Sequence, residues 1–192
     1  IRDRRNAMKI NSLIHQVLNF NRIEDNEDSL LILSRIELVS FSHSLFSVYE
    51  EDKRLTFLFE TNKAKIYADM DAIKLGVILD SLLSNAVKFT PDGGSIRLSL
   101  FYREETGLVD ICVSDTGSGI PPRDIPYIFQ RFFQSPHSGN KEGTGIGLYL
   151  VKTYTELHGG HITGVTSEEG KGTSVGLNIP VIAVEEEEIP AT

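Results

Sequence analysis

Three groups of residues have types and spacing suited to holding a flat, charged ligand. The first is Asp115-Thr-Gly-Ser-Gly-Ile-Pro121, which follows an apolar run and so stands where a strand ends. An aspartate there can accept a hydrogen bond from an exocyclic amine, and Gly117 and Gly119 let backbone approach a planar ring. The same letters also make a good structural turn. They suggest one lobe of an aspartic protease as well, but that enzyme needs a second matching lobe or a symmetric dimer in an all-β setting, which this chain lacks. The second group is Glu142-Gly-Thr-Gly-Ile-Gly-Leu148, opening a helix. Alternating glycines before a helix N-terminus offer free N–H groups and the positive end of the helix dipole, which suits phosphates. No Gly-Lys-Ser/Thr follows, as a Walker loop requires. The stretch upstream, Gln134-Ser-Pro-His-Ser-Gly-Asn-Lys141, is a polar loop rather than the strand of a dinucleotide fingerprint. The third group is Ser81, Asn85 and Lys88, at i, i+4 and i+7 and hence on one helix face, opposite Ile78, Leu79, Leu82, Ala86 and Phe89. Such a stripe can be an ordinary solvated face. An amide oxygen and an ammonium one turn apart can also hold a hydrated Mg²⁺ and a phosphate.

The elements that must position these groups follow from periodicity. Apolar residues at Ile10, Ile14 and Val17, widened by Leu13, Leu18 and Phe20, predict an amphipathic helix from Ala7 that needs partner helices to cover its stripe. Residues 21–28 read as a polar linker. A short strand is expected near Leu30 to Leu33, a helix near Leu38 to Glu51, and strands over Arg54 to Glu60 and Lys65 to Ala68. A long helix covers Asp71 to Phe89, stopped by Thr90-Pro-Asp-Gly-Gly94. Ser95 to Arg103 and Gly107 to Ser114 alternate as a hairpin. A helix from about Gly145 to Leu157 and two strands, His161 to Ser167 and Gly172 to Ile179, complete the pattern. A largely antiparallel sheet with helices stacked on one face, a two-layer α/β sandwich, is the economical arrangement.

The composition supports one globular domain with a flank. The chain has 192 residues, 40% hydrophobic and 24% charged, so a packed core is affordable. A net charge of −8 with no basic patch argues against nucleic acid as a partner. Cys112, the one cysteine, lies in an apolar strand run and reads as a small core residue; it permits a reducing compartment. No apolar run approaches the 18 or so residues that span a bilayer, and no secretory leader opens the chain. The opening Ile1-Arg-Asp-Arg-Arg5, without an initiator Met or an N-cap, suggests a fragment of a longer protein. The boundaries expected are a helix and linker over 1–27, a compact domain over 28–182 and an acidic linker over 183–192.

Taken in order, these groups resemble the nucleotide-binding boxes of the GHKL ATPases, with their Bergerat ATP-binding fold, and among them the sensor histidine kinases. Ser84-Asn-Ala-Val-Lys-Phe-Thr-Pro91 is similar to the kinase N box, Asp115 to Ile120 to the G1 box, Phe129-Gln-Arg-Phe-Phe133 to the F box, and Gly143 to Leu148 to the G2 box. Glu156-Leu-His-Gly-Gly-His-Ile162 and Glu169-Gly-Lys-Gly-Thr173 resemble the stretches after the last box. The resemblance covers about Leu38 to Pro180; more loosely, Asn6 to Glu24 resembles the second helix of a dimerisation bundle.

The resemblance implies ATP and Mg²⁺ as ligands. Asp115 would hold the adenine amino group, with Gly117, Gly119 and Ile120 shaping the pocket; Asn85 would ligate the metal and Lys88 would touch phosphate. Gly143, Thr144, Gly145, Gly147 and Leu148 would line the phosphates, residues 134–142 would form a lid anchored by Phe132 or Phe133, and Thr173 would complete the nucleotide site. It further implies γ-phosphoryl transfer to a histidine on the first dimerisation helix and relay to a receiver aspartate. Partners would be a second copy, through the bundle, and a response-regulator receiver, in the same chain or a separate one. The setting would be a cytoplasmic domain of a membrane-bound sensor.

Two departures stand out. No histidine followed by an acidic residue occurs within a helix: His15 precedes Gln16, so the acceptor is expected upstream. Ser81 stands where histidine kinases carry a second asparagine and gyrase-like relatives a glutamate. A non-catalytic nucleotide-binding module is therefore a second reading. A hydrolytic ATPase is a third; such an enzyme needs a carboxylate to activate water, and no Glu stands four residues before Asn85 in this chain.

Overall fold

The structure, a computed structural model, describes residues 30–136 and 143–185, the side chains of the last three excepted. The amphipathic helix and linker expected over 1–27, most of the expected lid (137–142) and the end of the acidic run (186–192) lie outside the described residues. Among the described residues no helix is long and apolar enough to cross a membrane.

The chain runs β1 (Ser34–Glu37), α1 (Leu38–Tyr49), β2 (Thr56–Thr61), β3 (Lys65–Met70), α2 (Ala72–Phe89), β4 (Ser95–Arg103), β5 (Leu108–Asp115), a 3₁₀ turn (Ile125–Tyr127), α3 (Gly147–Leu157), β6 (His161–Glu168), β7 (Gly172–Pro180) and β8 (Ala183–Glu185). A five-stranded sheet of order β2-β4-β5-β7-β6 carries one parallel pair, β2 with β4, and is otherwise antiparallel. A second sheet, β1-β3-β8, is antiparallel.

Alternation decides which face of the large sheet is covered. Ile96, Leu98 and Leu100 of β4, Val109, Ile111 and Val113 of β5, and Val175, Leu177 and Ile179 of β7 all point into one core with Leu75, Ile78, Leu79, Leu82 and Leu83 of α2 and Leu150, Val151 and Tyr154 of α3. Of the intervening residues on the other face, Arg97, Phe101, Asp110 and Cys112 are exposed or half-buried, while Ser99 and Asn178 are buried. The result is the expected two-layer sandwich, with helices on one side of the sheet.

Several boundaries shift by about two residues from the periodicity-based expectation, such as the end of α1 at Tyr49 and the start of β2 at Thr56, and two differences have a clear cause. The first strand is Ser34–Glu37 rather than the apolar run at 30–33, because Ser34 to Glu37 pair with Met70 to Tyr67 of β3; Leu30 and Ile32 remain 74% and 79% exposed. The last helix starts at Gly147, since Gly145 adopts φ +69°, outside the helical region. In addition, Ala183–Glu185 pair with β3 as a strand at the head of the stretch expected to be linker.

The long helix is delimited by its own residues. Asp71 caps α2 by accepting from the backbone N–H groups of Ile73 (3.0 Å) and Lys74 (3.1 Å), a device that contributes about 1 kcal/mol. Thr90 ends it, its hydroxyl donating to Ala86 O at 2.6 Å, and Pro91 prevents continuation.

Candidate active site

A cavity of about 170 Å³ opens between α2, the ends of β5 and β7, and the start of α3. Its walls are apolar: Leu82, Ala86 and Phe89 from α2, Val113 from β5, Val175 from β7 and Leu148 from α3. Its polar groups are few, chiefly Asn85, Asp115, Ser118, Glu169 and Thr173. Apolar walls with sparse, placed polar groups suit a flat heterocycle.

Asp115 is the last residue of β5, where the ladder pairs it with Ile96 on one side and Thr173 on the other. Its Oδ1 accepts from the N–H of Gly117 (2.7 Å) and of Thr173 (3.3 Å). No other hydrogen bond of this carboxylate is found among the described residues, so Oδ2 is uncommitted on the cavity wall. Burial pushes the Asp115 carboxyl above its ordinary range, and the two backbone N–H groups pull the other way.

The loop after Asp115 is clamped on both sides. Ser118 N–H donates to Phe89 O at the end of α2 (3.1 Å), Gly170 N–H donates to Ser118 O (2.8 Å), and Ile120 N–H donates to Ser167 Oγ (2.8 Å). A Cβ on Gly117 would lie 2.7 Å from both Phe89 O and Asp115 Oδ1. Gly119 has φ +72°, and a Cβ there would come within 2.1 Å of Glu168 O. Only glycine fits the second position both conformationally and sterically.

A second cluster lies toward the start of α3. A Cβ on Gly143 would be 2.9 Å from Lys88 Nζ, which places that ammonium against the glycine-rich backbone. Ile146, the N-cap of α3, offers no side-chain hydrogen bond to the first turn. Phe132 has φ 63° and donates its N–H to Gly145 O (2.9 Å); its ring is 57% exposed, whereas Phe133 stacks obliquely on Tyr127.

The fold thus brings together Asn85, Asp115, Gly119, Ile120, Leu148 and Thr173 on the cavity wall, with Gly117 immediately beneath Asp115. Lys88, Gly143, Thr144, Gly145 and Gly147 are not part of its wall; Lys88 lies against Gly143, and Gly147 opens α3, whose next residue, Leu148, is on the wall. Phe132 and Phe133 do not line the cavity; they belong to the segment whose backbone is bonded to Gly145. Ser81 is neither on a solvated stripe nor on the cavity wall. It is 1% exposed, and its hydroxyl has no hydrogen-bond partner among the described residues.

Residues that sequence patterns left without a role include Val113 and Val175, cross-strand partners on the cavity side, and Ser167 and Gly172, which hold the Asp115 loop from the β6–β7 turn. Val113 was findable as the residue two before Asp115 on the same strand face; the others follow from long-range register alone. A wider trough of about 840 Å³ on the uncovered face of the sheet, around Ser99, Cys112 and Gly176, holds none of the expected site residues.

Comparison with known proteins adds an independent line. Residues 70–183 match the model of the family described as histidine kinase-, DNA gyrase B-, and HSP90-like ATPase. The chain is 31% identical over 172 residues to sensor histidine kinase WalK of Bacillus subtilis, a match that covers 88% of this chain and 28% of that one. It therefore spans under a third of that relative's length. Among solved structures, full-length ShkA in complex with AMPPNP superposes with a TM-score of 0.76 at 26% identity, covering 95% of this chain and 38% of that one. A mycobacterial sensor histidine kinase, MprB, gives 0.68 at 25% identity, covering 78% of this chain and 98% of the other. The matched span contains every residue of the cavity wall, and the chain belongs to the histidine kinase-, DNA gyrase B- and HSP90-like ATPase family, as a catalytic ATP-binding domain of the histidine kinase type.

Proposed function

We propose that this domain binds Mg²⁺–ATP in the cavity beside α2 and donates the γ-phosphoryl group to a histidine on a dimerisation helix, for relay to a receiver aspartate in a response regulator. The observation that carries the reading is Asp115. Its Oδ1 is consumed by two backbone N–H groups, which fixes the carboxylate, while Oδ2 stays available in a mainly apolar slot. That is the acceptor an adenine amino group needs, and Leu82, Ala86, Val113, Val175 and Leu148 supply surfaces for the ring.

The phosphate side follows from charge and backbone. Lys88 and the uncapped first turn of α3 can share the phosphate oxygens, and Gly143, Thr144, Gly145 and Gly147 let backbone approach them. Asn85, half-buried on the cavity wall about one turn before Lys88 on α2, has the amide oxygen suited to a hard cation. Mg²⁺ would neutralise charge on the phosphate oxygens. Phe132 and Phe133 would anchor the lid, Gly117, Gly119 and Ile120 would hold the adenine end, and Thr173 would close it.

Transfer would form a bond from an imidazole nitrogen to the γ-phosphorus and break the bond to the β,γ-bridging oxygen, with ADP leaving and the imidazole proton passing to solvent. The nucleophile needs little activation, so positioning and charge stabilisation supply most of the rate. No carboxylate stands at position 81 to activate water, which favours transfer over hydrolysis.

The parent protein would act as a homodimer through its helical bundle, in the cytoplasm beneath a membrane sensor. The test uses labelled ATP. The fragment alone should stay unlabelled, whereas adding a separately produced full dimerisation domain should give an acid-labile, base-stable phosphate on that partner. Nucleotide binding without such transfer would favour a non-catalytic module, and label on His15 would overturn the assignment of an upstream acceptor.

A further inference from the structure

At the end of the molecule away from the cavity, three pieces of chain meet around Asp71, Lys74 and His158. Asp71, 4% exposed, caps α2 with Oδ1 and accepts from Ile32 N–H with Oδ2 (3.1 Å). Lys74, 8% exposed, sits 3.4 Å from Asp71 Oδ2, reaches Leu30 O at 3.5 Å and lies 5.4 Å from the centroid of the Tyr154 ring. The N–H of Asp71 itself donates to His158 Nε2 (3.0 Å), and His158 Nδ1 is 2.6 Å from Tyr154 O. His158 is the C-cap of α3.

The imidazole's protonation state follows from its partners. A backbone N–H can only donate, so Nε2 carries no proton; the carbonyl of Tyr154 can only accept, so Nδ1 carries it. One neutral ring thus ties the first turn of α2 to the last turn of α3. At about 1.5 Å of rise per residue, Lys88 is roughly 25 Å away along α2 and Gly147 roughly 16 Å away along α3. Those two helices carry Asn85 and Lys88 on one side of the cavity and the glycine-rich N-terminus on the other.

We propose that His158 is a positioning residue for the nucleotide site: its neutral imidazole sets the seating of α2 against α3, and through them the width of the phosphate end. This rests on the reading of the cavity as an ATP site. Packed helices move as rigid units, so a displaced tie at one end reappears at the other. Protonation breaks the tie, because an Nε2–H would face the Asp71 N–H donor to donor. Burial is the largest influence on the ring and opposes its protonation; the Tyr154 carbonyl and the Asp71 carboxylate favour it, the Lys74 ammonium opposes it, and the net effect holds the imidazole below its ordinary value. With the folded value depressed, the neutral tie is fully present above the ordinary histidine pKa of about 6.5 and is lost as pH falls through the folded value.

Calorimetric titration with AMPPNP and Mg²⁺ between pH 5 and 8, with amide hydrogen exchange at pH 7 without nucleotide, tests this on the chain and two variants. His158→Leu should bind AMPPNP at least fivefold more weakly at pH 7.5. Its amides at 81–90 and 147–151 should exchange at least tenfold faster, while those of β4, β5 and β7 keep the parent rates. His158→Gln, whose amide oxygen can still accept from Asp71 N–H but does not titrate, should stay within twofold of the parent and lack the parent's loss of affinity below pH 6.5. Parent-like affinity and exchange in His158→Leu, faster exchange throughout the sheet as well, or an undiminished pH slope in His158→Gln would each overturn the proposal. Failure of the parent to bind AMPPNP would refute the ATP reading separately, since the exchange comparison needs no nucleotide.

Discussion

Replacing Asp115 by asparagine separates holding the fold from holding the ligand. In the folded chain Oδ1 accepts from Gly117 N–H at 2.7 Å and Thr173 N–H at 3.3 Å. The asparagine oxygen can keep both bonds, which leaves its NH₂ where Oδ2 was. An adenine amino group would then meet a donor instead of an acceptor. The loss is a hydrogen bond to a charged acceptor, about 1.5–3 kcal/mol, and two donors are left facing each other. Affinity for AMPPNP should therefore fall by roughly 10- to 150-fold. The fold should not suffer. Burial raises the Asp115 carboxyl, so the folded state holds its proton more tightly than the unfolded chain does; the stability that this contributes is full below the ordinary carboxylate value of 3.8 and is lost as pH rises through the folded value. The neutral amide avoids that loss, so the asparagine variant should match or exceed the parent in urea midpoint at pH 7, and its midpoint should vary less between pH 3 and 7. Calorimetry and urea melts read the two halves independently. Parent-like nucleotide affinity in a folded variant would refute the adenine assignment, and a lower midpoint at pH 7 would refute the account of the two backbone bonds.

Other expectations follow from single contacts. Gly119→Ala forces a side chain to φ +72° and to within 2.1 Å of Glu168 O, and should cost at least about 2 kcal/mol, a drop of roughly 4–8 °C in a calorimetric melt; an unchanged Tm would mean that the β6–β7 turn does not clamp this loop. Ser81→Ala removes a buried hydroxyl that has no partner, so Tm should hold or rise, and a clear fall would show that the hydroxyl is bonded in solution. Ser81→Asn adds volume at a site 1% exposed and should lower Tm by overpacking, with the same melt as its check.

Much of the site was legible because its parts are local. Asp71 before an apolar periodicity and Pro91 after it bound α2 to within a residue, and the strand-end position of Asp115 follows from the alternation of Leu108 to Ser114. What escaped depends on distant chain. The apolar run at 30–33 looks more like a strand than Ser34-Arg-Ile-Glu37, yet β3 pairs with the latter, and tertiary pairing outranks propensity. Ser81 shares a helix face with Asn85 by spacing, but angular position says nothing of what packs over each turn, and this turn is covered. Ser167 and Gly172 hold the Asp115 loop from far along the sequence, where no local pattern announces it.

The register of the large sheet also bears on when the site comes into being. Arg103 faces Leu108 and Glu168 faces Gly172 across tight turns, so these two hairpins close cheaply, on the microsecond scale of local contacts. The cavity instead depends on Asp115 meeting Thr173, on α2 lying over β5 and on α3 lying over β6 and β7, joins that require the long loops to close. If the cavity is the nucleotide site proposed above, nucleotide has nothing to bind until the chain has finished folding, and it would select the finished state by mass action. At a hundred times its Kd it would add about 2.7 kcal/mol. A cell depleted of ATP would thus lose substrate and also part of the margin that keeps this domain folded.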